Sequence, residues 1–159
     1  MGLKDIDKGL KNILRELDKV SKKVVDVGIM YDSGRYKDKG KEKGDTQQPR
    51  IVDVARDNEF GTAWIPARPA HRQAFDNNIT RINRAIDNKV NRIKRQKITW
   101  DKALSDLGRL HQRHVRKRIV DLKTPPNSLI TIMLKNSSNP LINTNTMRRA
   151  VTYVVRRIS

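Results

Sequence analysis

The chain contains no cysteine, which excludes disulfides and thiolate metal sites. Aromatic residues make up only 4% of it and hydrophobic residues 36%, against 33% charged. A chain so poor in core material folds with extended parts or completes its burial against partners. No apolar run approaches the roughly 18 residues that cross a bilayer, so no membrane partner is expected. The start, MGLKDIDKGLKNIL, is too acidic and too interrupted for a secretion signal. A protein folded in a cytoplasm is the expectation.

Acidic residues are also scarce, but only in one part. Residues 1–60 hold 14 basic and 12 acidic side chains, whereas residues 61–159 hold 21 basic and 5 acidic, out of a net charge of +18. Charge this lopsided repels itself unless a polyanion, such as nucleic acid, lies nearby; a solvated basic surface is the plainer alternative.

Chemical motifs are missing too. There is no Ser–His–Asp order, no phosphate-cradling glycine loop and no carboxylate cluster. His111 and His114 lie three apart and His71 is the only other histidine; zinc needs at least three protein ligands, and Arg109, Arg113 and Arg116 flank the pair, so these histidines read as surface imidazoles. Asp53 and Asp57 sit one helical turn apart, suited either to a magnesium ion of a nuclease or to pairing with Arg50 and Arg56. No catalytic residue, metal or cofactor is assigned, and the chain is not expected to be an enzyme.

What is present is periodicity. Ile6, Leu10, Ile13, Leu14, Leu17, Val20 and Val24 form one stripe of a helix over about 3–22. VVDVGIMY (24–31) alternates as a strand with Val25, Val27 and Ile29 on one face. Residues 32–48 carry three glycines and nine charges and are expected to be a flexible loop. A short helix over 49–61 has Pro49 near its first turn and Gly61 as terminator. Pro66 and Pro69 then make TAWIPARP a stiff extended connection. Phe75, Ile79, Ile82, Ile86, Val90 and Ile93 stripe one long helix ending near Gln96. Thr99 caps a third, whose stripe is Trp100, Ala103, Leu104, Leu107, His111, Val115, Ile119 and Leu122, and which stops before TPPN (124–127). Residues 128–147 read as irregular. AVTYVVRRI is β-branched and aromatic, hence a strand, able to pair with 24–31. The expectation is one α+β domain over 1–159: long amphipathic helices on a small antiparallel sheet that includes the C-terminal strand.

The runs RIKRQK (Arg92, Lys94, Arg95, Lys97) and RHVRKR (Arg113, Arg116, Lys117, Arg118) contain no aromatic residue. If they meet nucleic acid they meet phosphates without reading sequence; arginines paired at subunit interfaces are the alternative.

Two stretches taken together are more specific. NEFGTAWIPARPAHRQAFDNN resembles the EFGT…IPARPF.R.AF pattern of the small tail-completion and neck proteins of long-tailed bacteriophages. TPPNSLITIMLKNSSNPLINTNTMRRAVTYVV is similar to that family's PPN…T…K…PLI.TG.LR.SI.Y.V series. Glu59, Phe60, Gly61, Thr62, Ile65, Pro66, Ala67, Arg68, Pro69, Arg72 and Phe75 match the first. Pro125, Pro126, Asn127, Thr131, Lys135, Pro140, Leu141, Ile142, Thr144, Arg148 and Tyr153 match the second. Ala70 replaces an aromatic; Asn143, Asn145 and Met147 replace Asp, Gly and Leu, and asparagine tolerates the left-handed geometry glycine supplies.

The resemblance implies a structural virion protein. It would be assembled in the host cytoplasm as a homo-oligomeric ring at the neck or tail top, against neighbouring connector and tail proteins and around the DNA channel. It implies that the IPARP bend is a fold-defining corner, with Phe60, Trp64 and Ile65 filling it or meeting a neighbouring subunit. A sequence-independent nucleic-acid-binding protein acting outside the virion is the alternative.

Overall fold

The structure, a computed structural model, describes residues 9–36, 48–135, 138–142 and 145–158. Within them the chain is α+β: seven helices and a two-stranded antiparallel sheet. Helix α1 (Leu10–Ser21) leads into β1 (Lys23–Ile29). Then come α2 (Ile51–Phe60), α3 (Ala70–Asp76), α4 (Ile79–Lys94), α5 (Trp100–Asp121), α6 (Leu129–Lys135), α7 (Thr146–Ala150) and β2 (Val151–Arg157). Residues 1–8, 37–47, 136–137, 143–144 and 159 lie outside the described residues. The first turns of the predicted opening helix, most of the predicted loop, Asn143 and Thr144 are among them.

The two strands join the ends of the chain, as the alternation of 24–31 and the β-branched, aromatic content of AVTYVVRRI lead one to expect. Val25 faces Val155, Val27 faces Tyr153, and Ile29 faces Val151. Period-two geometry puts these six side chains on one face of the ribbon. A two-stranded ribbon is marginal alone, and α5 covers it. Thr99 starts α5 as expected: its hydroxyl accepts from the Lys102 N–H at 3.3 Å, and Asp101 lies in the first turn. Val115 and Ile119 on α5 and Leu122 just past its end are fully buried and meet Ala55, Ala70, Ala74, Leu141, Met147 and Val151 in the core.

Three local expectations are corrected. The long helix predicted from Phe75 to Gln96 is two helices, broken at Asn77–Asn78. The Asn78 side-chain amide donates to the Ala74 carbonyl at 2.9 Å, and its backbone N–H donates to Phe75 rather than to the residue four back. Asparagine competes in this way for helical acceptors. The stretch 128–147 is not wholly irregular, for α6 lies within it and α7 begins at its end; Ser128 opens α6, its hydroxyl accepting from the Thr131 N–H at 3.2 Å. Finally, the connection after α2 begins with a tight turn, not an extended run. Thr62 accepts at its hydroxyl from the N–H groups of Trp64 and Ile65 and donates its own N–H to the Ile65 carbonyl at 2.8 Å. Gly61 ends α2 with φ +78°, and a Cβ there would come within 3.0 Å of the Ala67 nitrogen, so glycine is needed for both reasons. Asn145 adopts φ +59°, the left-handed geometry for which asparagine substitutes for glycine.

Candidate assembly corner and basic surface

The bend between α2 and α3 is held by two charged side chains. Arg68 is 5% exposed. Its Nε donates to the Pro125 carbonyl at 2.8 Å, its Nη2 to the Pro126 carbonyl at 3.0 Å, and its Nη1 to Asn58 Oδ1 at 3.4 Å. Its backbone N–H donates to the Asn58 carbonyl. One guanidinium therefore ties the IPARP stretch to the PPN stretch, 57 residues away in the chain. The planar fork reaches two successive carbonyls, which a lysine cannot do.

Glu59 does the second job. Its carboxylate accepts the backbone N–H groups of His71 and Arg72, both at 2.9 Å, and lies 3.2 Å from His71 Nδ1. Those N–H groups belong to the first turn of α3, where helical donors lack partners and a negative charge is favoured. Burial works against the charged carboxyl, yet the bonds from the His71 ring and from the Arg72 and His71 N–H groups outweigh it and lower its pKa.

Phe60 and Trp64 do not fill this corner: they are 78% and 92% exposed. Ile65 and Pro69 are half-buried and Pro66 is exposed. The corner's interior is taken by Arg68 and by the small Ala70 and Ala74, leaving the large rings outside. Phe75, partly exposed, sets its edge against the His111 ring at a centroid distance of 5.7 Å. In the second block, Pro140, Leu141 and Met147 are buried, and Asn139 clamps them to α5 by donating to the Val120 carbonyl at 2.9 Å. Asn127 is half-buried. Tyr153 lies over Gly108 of α5.

The histidines are not surface imidazoles. His114 is buried and His111 half-buried, their rings edge to face at 6.1 Å. Helix α5 turns both inward because α3 and α4 cover that side. Burial lowers both pKa values; the charges of His114 and His71 add to the effect at His111, and those of Arg81 and Arg113 at His114. Among the described residues no group of three or more histidines, cysteines or carboxylates is placed to hold a metal. Asp53 and Asp57 are held by arginines: Arg50 Nε lies 2.8 Å from Asp53, and Arg56 lies 3.6 Å from Asp53 and 3.1 Å from Asp57.

A pH dependence follows. The ordinary histidine value is 6.5, and both folded-state values lie lower. The unfolded chain then binds more protons below that pH, so stability is complete above it and is lost as pH falls through the folded values. Glu59, lowered from 4.5, adds a further loss only in the acid range below that value. The melting temperature should fall as pH drops from about 7 toward about 5, and His111→Gln with His114→Gln should flatten that part of the profile. An equally steep profile in the double variant would refute the assignment.

The basic runs separate into different roles. Arg92, Lys94, Arg95 and Lys97 are exposed at the end of α4 and just beyond it. Arg113 lies thirteen residues into α5, about 20 Å along the helix from its start at 1.5 Å per residue. Two of the predicted nucleic-acid-facing residues are tied up internally. Arg118 donates through Nε and Nη2 to Gln73 Oε1 at 2.9 and 2.5 Å. Arg116 Nη2 donates to the carbonyls of Val151 at 2.8 Å and Arg149 at 3.4 Å. Lys117 pairs with Asp121 at 2.6 Å, while Arg113 and Arg148 stay exposed. The stripe spacing gave no sign of these roles, because the acceptors come from α3 and from the α7–β2 junction.

Comparison with protein-family models, curated proteins and solved structures finds no match to this chain. Among the described residues no helix is long and apolar enough to cross a membrane.

Proposed function

We propose that this protein is a structural subunit of an oligomeric ring at a bacteriophage head–tail junction, joining tail to head around the DNA channel. The observation that carries the reading is the corner. Arg68 and Glu59 fix its backbone, and the large rings of Phe60 and Trp64 stand outward from it. Aromatic residues presented on a rigid frame suit an interface, because little freedom is lost when they are covered. The exposed apolar residues Leu129, Ile130 and Met133 on α6, and Leu10, Leu14 and Leu17 on α1, point the same way: large apolar patches on a soluble protein are contact surfaces. The two sequence blocks that resemble the neck and tail-completion family meet in space at Arg68, which is why both would be needed in one subunit.

Sedimentation and negative-stain imaging of the purified chain test this. Trp64→Ala and Phe60→Ala should leave folding stability within about 0.5 kcal/mol of the parent. Each should weaken self-association, or docking on a partner ring, by about tenfold or more. A parent that stays monomeric at high concentration and is absent from virions would overturn the proposal. The alternative, a nucleic-acid-binding protein acting outside the virion, is favoured only by the basic surface; for it, association would require DNA.

A further inference from the structure

Where α5 approaches α7, an open cleft of about 460 Å³ is lined by Arg113, Arg116, Lys117, Val120, Asp121 and Arg148. Four cations face one carboxylate there, and that carboxylate already holds Lys117. Arg116 bridges the two walls through the Val151 and Arg149 carbonyls, so the cleft is formed before anything enters it. Arg113 and Arg148, one on each wall, make no hydrogen bond or ion pair with the described residues.

Among the described residues Asp26, Asp53, Asp57, Asp76, Asp101, Asp106 and Asp121 are each held by a cation of the same chain and Glu59 caps α3, whereas Asp18, Asp32 and Asp87 stand exposed and scattered on separate elements. Across residues 61–159 the 21 basic side chains outnumber the 5 acidic ones. The four cations around one engaged carboxylate favour a partner that brings dense negative charge. An acidic protein face carries its carboxylates among other groups, whereas a nucleic acid presents a phosphate at every step. An arginine fork suits two oxygens of a phosphodiester. No aromatic ring lines the cleft, which leaves bases unread.

We propose that this cleft holds the phosphodiester backbone of nucleic acid, with Arg113 and Arg148 contacting phosphates while Arg116 and Lys117 shape the walls and add positive field. The site stands independently of the ring reading, and sedimentation of the same variants keeps the two apart.

The test is fluorescence anisotropy of the full-length chain with a labelled duplex of mixed sequence, over a chloride series. The parent should bind without sequence preference. Arg113→Ala with Arg148→Ala should weaken binding about tenfold at moderate salt and reduce the slope of log affinity against log salt by about 2, since each phosphate contact contributes about 0.9. A control removing the same charge elsewhere, Arg92→Ala with Lys94→Ala, should lose no more than about threefold. Equal losses in the two variants would overturn the site, as would a parent that binds no duplex. Inorganic phosphate at matched ionic strength should displace no more duplex than chloride does; preferential displacement would mark a free-phosphate site instead. If Arg113→Ala with Arg148→Ala changes the sedimentation of the chain but not its duplex binding, the cleft is a protein contact and the proposal falls.

Discussion

Arg68→Ala should lose about 3 kcal/mol of folding stability, because hydrogen bonds from a charged donor contribute about 1.5–3 kcal/mol and three acceptors lose theirs together. The loss comes from one place: the guanidinium joins the carbonyls of Pro125 and Pro126 to Asn58 across the corner. Without it the IPARP and PPN stretches have no shared donor, and Phe60 and Trp64 lose the frame that presents them. Arg68→Lys should recover less than half of the loss, since an ammonium is a point donor and cannot span two carbonyls in one plane. Urea denaturation of the three proteins is the measurement. An alanine variant within about 1 kcal/mol of the parent would show that the corner is held by its prolines alone.

Gly108→Val should cost about 3 kcal/mol or more, at or beyond the upper end for overpacked cores. Gly108 is buried in the middle of α5, where a Cβ would stand 2.5 Å from Tyr153 Cδ2, 2.8 Å from its Cγ and 2.9 Å from Val25 Cγ1. Two of these are ring atoms of a half-buried tyrosine and the third belongs to the facing strand, so helix and sheet would have to part. Gly108→Ala pits the same clash against a gain of about 1 kcal/mol in helix propensity, and should still be a net loss. Thermal melts decide it: an alanine variant more stable than the parent would mean that the tyrosine ring moves aside freely. Tyr153→Ala should relieve most of the added cost of Gly108→Ala, a coupling that a double-mutant cycle reads directly.

Much of the fold was legible in the sequence because it rests on local rules. Alternation in 24–31 and the β-branched, aromatic run AVTYVVRRI marked two strands able to pair, and the apolar face of the ribbon they form is covered by α5. Thr99 as cap, Gly61 as terminator and Asn145 in left-handed geometry follow from what each residue's own backbone and side chain permit. The break at Asn77–Asn78 was within reach too, since paired asparagines compete for helical acceptors, but the stripe from Phe75 to Ile93 overrode it.

The sequence by itself determined the α+β class, the pairing of the chain's two ends, and the position of a stiff bend between two helices. Only the tertiary structure decided which side chains hold that bend and which stand outside it. The resemblance left Phe60 and Trp64 either filling the corner or meeting a neighbour, yet Arg68 and two alanines occupy its interior, because acceptors from 57 residues away satisfy a buried guanidinium there. In the same way periodicity could not tell Arg116 and Arg118, bound to carbonyls and a glutamine, from Arg113 and Arg148, which keep their charge available. Nor could it tell the inward histidines of α5 from surface ones. Each of these outcomes depends on partners brought from elsewhere in the chain, and periodicity along one helix carries no information about them.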